Sequence, residues 1–315
     1  MIKYKILEDI ICCPSCRNKL FFSQDLFCCN QCNKNYLIKD GILVLLRKED
    51  FDLAEVFSKN YIGYDSNEND LYLAKFLSKE YIAPLWNSKI SKKTVLELGS
   101  GAGQQTRLIE DVFDCFICTD LSYEALLKLK QYKKSDKYFF VQTNINQFPF
   151  RENSLDVILS TGVLHYVKDK ENIFGSIYKT LRYNGEYIGI EPNEYIRWYK
   201  TYLRLFRLNF LENFVSKLYI WVSNIRKIKN KDFKQGWQSS QEKDFIPVTR
   251  KTYEKIITDF GFKLDIQEFW LNFFLPRMEK SYRVLKITNK LSNMCIRYFK
   301  LNGMYYKILA KKQGI

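Results

Sequence analysis

Two pairs of cysteines near the start of the chain have the spacing of metal ligands: Cys13-Pro14-Ser15-Cys16 and Cys29-Asn30-Gln31-Cys32. Two thiolates so spaced can turn onto one ion, and two such knuckles fill a tetrahedral shell. A filled shell leaves no place for substrate, so Cys13, Cys16, Cys29 and Cys32 read as ligands of a structural zinc. An iron–sulfur cluster is the alternative. Cys12 and Cys28 stand beside these ligands at the less suitable C-x₃-C spacing and read as non-ligands.

A second group surrounds a glycine-rich turn, Glu97-Leu98-Gly99-Ser100-Gly101-Ala102-Gly103. Glycines permit positive φ and close approach of backbone to a ligand. A helix opening at Gln104 would add free N–H groups behind them. The dinucleotide fingerprint G-x-G-x-x-G fails in both registers, because its last position falls on Gln104 or on Thr106. Glu97 would repel a pyrophosphate, but it suits the amino group and sulfonium of S-adenosylmethionine (SAM). Asp120, at the end of the next apolar run, can accept from both ribose hydroxyls, and the alternative is a helix cap. Leu121 beside it can pack on adenine. His165, the one histidine, is a candidate base for an O–H or N–H acceptor, or else a packed wall of the pocket.

The elements that must carry these residues alternate. Apolar runs at Thr94–Leu98, Cys115–Asp120, Tyr138–Gln142, Asp156–Ser160 and Glu186–Glu191 predict buried strands. Helical patterns fall between them at Gln104–Val112, Tyr123–Gln131 and Glu171–Leu181. Thr249 can cap a helix over Arg250–Phe260. Strands near Phe262–Phe269 and Met304–Ala310 would add an antiparallel edge. Alternation of this kind makes an α/β protein with a doubly wound, mostly parallel sheet.

At this point a resemblance is plain. The blocks E-L-G-S-G-A-G, the strand-end Asp120, N-I-N-Q-F-P-F, S-L-D-V-I-L-S and T-G-V-L-H-Y-V lie in order over about residues 94–192. They resemble the class I SAM-dependent methyltransferases, in the branch that is like the ubiquinone- and menaquinone-biosynthesis methyltransferases. The resemblance implies a Rossmann-like, seven-stranded sheet with the cofactor at the carboxyl ends of its strands. It puts Glu97, Gly99, Ser100, Gly101 and Gly103 around the methionine part and Asp120 on the ribose. It puts Asn144, where the family usually has Asp, near the adenine amino group, and the backbone of Ile145 at the ring edge. Thr161 and Gly162 would line the methionine and substrate side. Tyr61 and Tyr64 resemble the family's aromatic N-terminal lid. The stretch Tyr36–Leu46, with the cysteines before it, resembles the small zinc-ribbon activator of tRNA and protein methyltransferases. A similar ribbon precedes the class I domain of a ribosomal-RNA guanine methyltransferase, although that ribbon usually has a histidine ligand.

The chain of 315 residues, 46% hydrophobic, is long enough for such a domain and accessories. It divides into a ribbon at 1–48, a helical linker or lid at 49–92, and the methyltransferase domain at 93–315, interrupted by a helical insertion at about 194–247. Basic and aromatic residues interleave there, as in Arg197-Trp198-Tyr199-Lys200. A formal charge of +15 suits an anionic partner, but lysine-rich composition also follows from an AT-rich genome. No stretch approaches the roughly 20 apolar residues needed to span a bilayer. The first residues lack a signal-peptide core, so a cytoplasmic protein is expected. The leading expectation is methyl transfer to a small-molecule or lipid-linked acceptor, with the insertion as a helical lid over the site; peripheral membrane contact or RNA stacking through its basic, aromatic surface are the alternatives. Methylation of ribosomal or transfer RNA is the second, and a SAM-binding scaffold without turnover the third. Whether O, N or C is methylated stays open.

Overall fold

The structure, a computed structural model, describes residues 2–59, 78–192, 248–269 and 305–313. Tyr61, Tyr64 and the insertion at 194–247 lie outside the described residues.

The ribbon is built from hairpins. Strands β1 (Phe21–Ser23) and β2 (Leu26–Cys29) join through Gln24 and Asp25, both at positive φ. Strands β3 (Lys34–Lys39) and β4 (Ile42–Val44) join through Asp40-Gly41, with φ of 50° and 72°. That pair of left-handed residues is what a two-residue hairpin with right-handed strand twist requires. After α1 (Phe51–Lys59) and α2 (Ala83–Ile90), the chain alternates in the expected way. Strands β5 (Thr94–Leu98), β6 (Cys115–Asp120), β7 (Tyr138–Gln142), β8 (Leu155–Thr161) and β9 (Leu181–Pro192) are parallel neighbours. Helices α3 (Tyr123–Tyr132) and α4 (Lys170–Thr180) lie between them. Each is capped by the preceding side chain: Ser122 accepts from Ala125 N and Asp169 from Asn172 N. Helix α5 (Arg250–Asp259) starts on Thr249, as expected, and β10 (Phe262–Phe269) follows. Strand β11 (Tyr305–Lys312) runs antiparallel between β9 and β10.

The full order is β1-β2-β3-β4-β7-β6-β5-β8-β9-β11-β10. Its last seven strands form the doubly wound, Rossmann-like α/β sheet that the resemblance implied. Central strands such as Phe116-Ile117-Cys118 are buried on both faces, which explains their unbroken apolar runs. One face packs Trp86, Ile90, Leu126 and Leu129 from α2 and α3. The other packs Phe174 and Ile177 of α4 against Tyr253 and Ile257 of α5. The ribbon's Leu7, Ile11 and Phe27 belong to the same apolar cluster as Phe148 and Phe150. Strand β4 pairs in parallel with β7, Ile42 opposite Phe140 and Val44 opposite Gln142.

One expected element is absent. Gln104–Val112 is not a helix; it holds a single 3₁₀ turn, Thr106–Leu108. Its apolar residues do not form one buried stripe, since Ile109 is buried while Leu108 and Val112 are exposed. Thr106 is drawn inward to bond Glu97, and Asn87 accepts from Glu110 N. Nine residues so anchored do not offset the cost of nucleating a helix. The glycine turn therefore has no helix N-terminus behind it.

Candidate cofactor site and cysteine centre

The site is assembled where the strand order reverses, at the carboxyl ends of β5, β6, β7 and β8. Gly99, Gly101 and Gly103 all have positive φ, at 63°, 52° and 84°. Gly101 N donates to Asp120 Oδ2 at 2.8 Å, and Ser122 N donates to Oδ1 at 2.8 Å. The turn after β5 is thus tied to the carboxylate at the end of β6. Each Asp120 oxygen keeps acceptor capacity. Burial raises the Asp120 carboxyl above its ordinary value, against the backbone bonds that lower it. Glu97 lies behind the turn, 2% exposed, and accepts from the Thr106 hydroxyl. Burial pushes its carboxyl up to about 7. Ser100 is buried, with its N–H on Thr119 O at 2.8 Å, and Leu121 O accepts from Gln142 Nε2 at 2.9 Å.

The turn after β7 departs from the expected arrangement. Asn144 Oδ1 does not face outward; it accepts from Asn146 N at 3.0 Å and Asn146 Nδ2 at 3.2 Å. Its Nδ2 donates to Asp50 at 2.6 Å. Ile145 beside it is half-buried. Across the crevice, Thr161 ends β8 and Gly162 follows at φ 64°. The buried hydroxyls of Thr143 and Thr161 have no hydrogen-bond partner among the described residues. Two orphaned hydroxyls at the carboxyl ends of β7 and β8, with β6 and β5 between them, suit an extended polar ligand lying across the crevice. With the glycine cradle and Asp120, they fit an adenosyl cofactor.

His165 is buried, and the reason is a residue that sequence reasoning passed over. Glu191, near the end of β9 and 0% exposed, accepts from Ser160 Oγ at 3.2 Å, Val163 N at 3.3 Å and Leu164 N at 3.2 Å. Its other oxygen meets His165 Nδ1 at 3.3 Å. A carboxylate at Nδ1 holds the ring in one orientation and suits the tautomer with its proton on that nitrogen. The available signal was an acid closing the apolar run Tyr187-Ile188-Gly189-Ile190 of β9.

The four sulfurs of Cys13, Cys16, Cys29 and Cys32 lie within 4.8 Å of one another. Cys13 to Cys32 is 3.6 Å and Cys16 to Cys29 is 3.4 Å. Tetrahedral zinc with bonds of about 2.3 Å spaces its sulfurs by about 3.8 Å, so the donor set fits. The two knuckles are alike. Arg17 N bonds Cys13 O and Asn33 N bonds Cys29 O, and both fifth residues take positive φ. Tyr36 sets its hydroxyl 3.1 Å from Cys13 Sγ. Cys12 lies outside the cluster, its thiol pushed up to about 11 by burial, and Cys28 lies outside it too.

Residues 96–189 match the methyltransferase domain family. Phosphoethanolamine N-methyltransferase 2 of Caenorhabditis elegans is 24% identical over 163 residues, which are 49% of this chain and 35% of that one. The chain thus spans about a third of the length of this curated relative. Among solved structures, a SAM-dependent methyltransferase of Listeria monocytogenes is similar at 16% identity and a TM-score of 0.47, over 76% of this chain and 99% of that one. The Haloferax volcanii complex of the Trm112 methyltransferase activator with a methyltransferase aligns at 16% identity and a TM-score of 0.49, over 85% and 98%. Set in a sheet of the class I order, residues 96–189 carry a methyltransferase domain.

Proposed function

We propose that the protein is a SAM-dependent methyltransferase acting on a small-molecule or lipid-linked acceptor. The observation that carries the reading is the bond between Gly101 N and Asp120, which joins the glycine turn to a ribose-type carboxylate. When bound, SAM supplies a methyl group on a sulfonium that leaves readily, so positioning does much of the work. Glu97 and the turn Gly99-Ser100-Gly101-Ala102-Gly103 hold the cationic methionine end, and Asp120 accepts from the ribose. Leu121 and Ile145 flank the adenine, with its amino group toward the Asn144 turn. Thr161 and Gly162 face the methyl side. His165 takes the proton of an O–H or N–H acceptor at Nε2, and Glu191 stabilises the imidazolium. A small acceptor agrees with the curated relative, which is named for phosphoethanolamine. Zinc on the four cysteines is structural, because all four positions of its shell are filled.

The test is transfer of labelled methyl from SAM into a cell extract, separated into small-molecule, lipid, RNA and protein fractions. Label is expected among small molecules or lipids. Label in RNA would favour the ribbon and the net positive charge as an RNA grip, and no transfer at all would leave a SAM-binding scaffold. Asp120→Ala should lower affinity for S-adenosylhomocysteine (SAH) by about 100-fold, the weight of a lost pair of charged hydrogen bonds. His165→Ala should keep that affinity and lose turnover. Undiminished SAH binding by Asp120→Ala would sink the cofactor assignment.

A further inference from the structure

The position that should meet the adenine amino group holds an amide with no acceptor to give. Asn144 Oδ1 already accepts twice from Asn146, and its NH₂ donates to Asp50. An exocyclic amino group needs an acceptor. The carboxylate standing there comes from elsewhere in the chain, 94 residues earlier.

Asp50 ends the 3₁₀ turn Lys48–Asp50, which joins the ribbon's β4 to α1. It is 5% exposed. Oδ1 accepts from Asn144 Nδ2 at 2.6 Å and Oδ2 from Arg47 N at 3.2 Å. A carboxylate offers about four acceptor sites, so two neutral donors leave it half-satisfied. No cation lies within ion-pair distance of it among the described residues. A buried carboxylate in that condition is costly unless another donor reaches it. The unpartnered hydroxyl of Thr143, next to Asn144, is a second sign that a polar ligand belongs beside this turn. In doubly wound sheets the ribose carboxylate ends one strand and the base extends past it, here from Asp120 on β6 toward the end of β7.

We propose that Asp50, held by Asn144 and Arg47 at the mouth of β7, is the residue that accepts the adenine amino group of the cofactor. This rests on the SAM reading above. The ribbon segment then supplies one wall of the cofactor site. That wall is anchored to the first cysteine knuckle, because Arg47 Nε donates to Pro14 O at 2.7 Å.

The experiment compares SAH with S-inosylhomocysteine, in which a carbonyl oxygen replaces the amino group. Titration calorimetry on the full chain gives the ratio of the two dissociation constants. Wild type should prefer SAH by at least about 10-fold, since a site built to bond a group rejects an analogue without it. Asp50→Ala should bring the ratio close to one. Asp50→Asn can donate to the carbonyl and should favour the inosyl analogue. Asp120→Ala should weaken both ligands and keep the ratio. A general loss of fold would weaken both ligands alike, so only the ratio bears on Asp50. SAH binding with a ratio unchanged in both Asp50 variants overturns the assignment alone. Failure of wild type to bind SAH overturns the methyltransferase reading and this assignment with it.

Discussion

Glu97 carries a cost in the ligand-free protein that can be measured through pH. Burial raises its carboxyl from the ordinary 4.5 to about 7. The folded state therefore favours the protonated form. Its contribution to stability is complete below about 4.5 and is lost as pH rises toward 7. A difference of this size corresponds to about 3 kcal/mol. Denaturant titrations of wild type should show stability falling through that window, and Glu97→Gln should show a smaller fall. Parallel curves for the two proteins would contradict the placement of Glu97. This acid and Asp120 were legible in the sequence because each closes an apolar strand at a fixed distance from the glycines. Glu191 was not, because its meaning depends on His165 and Ser160 meeting it from other elements. Asp50 was still less so, because its partner Asn144 is 94 residues away.

At the scale of elements, the glycine turn is held by shape as well as by φ. A Cβ on Gly103 would collide with the Leu129 side chain of α3, and one on Gly99 with Val163 after β8. A Cβ on Gly162 would meet nothing closer than His165 Cε1 at 3.7 Å. Gly162→Ala should therefore cost only left-handed backbone strain, about 1 kcal/mol. Gly103→Ala must also displace a buried leucine and should cost about 3 kcal/mol. Midpoints of urea unfolding would rank the two, and the reverse order would refute the packing argument. The strands themselves were readable, because burial on both faces leaves runs such as Phe116-Ile117-Cys118 with no other home. Segment Gln104–Val112 misled for the opposite reason. Its local pattern favours a helix, but the tertiary bond from Thr106 to Glu97 decides its path.

Across the whole molecule, the ribbon is bound into the sheet by more than the β4–β7 pairing. Arg17, just after the first knuckle, donates to the carbonyls of Gln147 at 3.0 Å, Phe148 at 2.6 Å and Phe150 at 3.3 Å. Cys12 N donates to Pro149 O at 2.9 Å. Thus the loop after β7 is gripped by residues that the cysteine centre positions. Metal analysis should find one zinc per chain. Removing it with a chelator should lower the melting temperature of the sheet domain, not only of the ribbon, and Cys16→Ser should do the same. A chelated protein with unchanged melting would show that zinc does not hold this union together. The pairing of β4 with β7 has another consequence. Without it, β7 (Tyr-Phe-Phe-Val-Gln) would be a bare sheet edge of high β-propensity and no charge, a template for other chains. The ribbon ends the sheet instead with β1, three residues long and too short to recruit a neighbour. On this view the cysteine centre guards against aggregation, and the first sign of metal loss is turbidity.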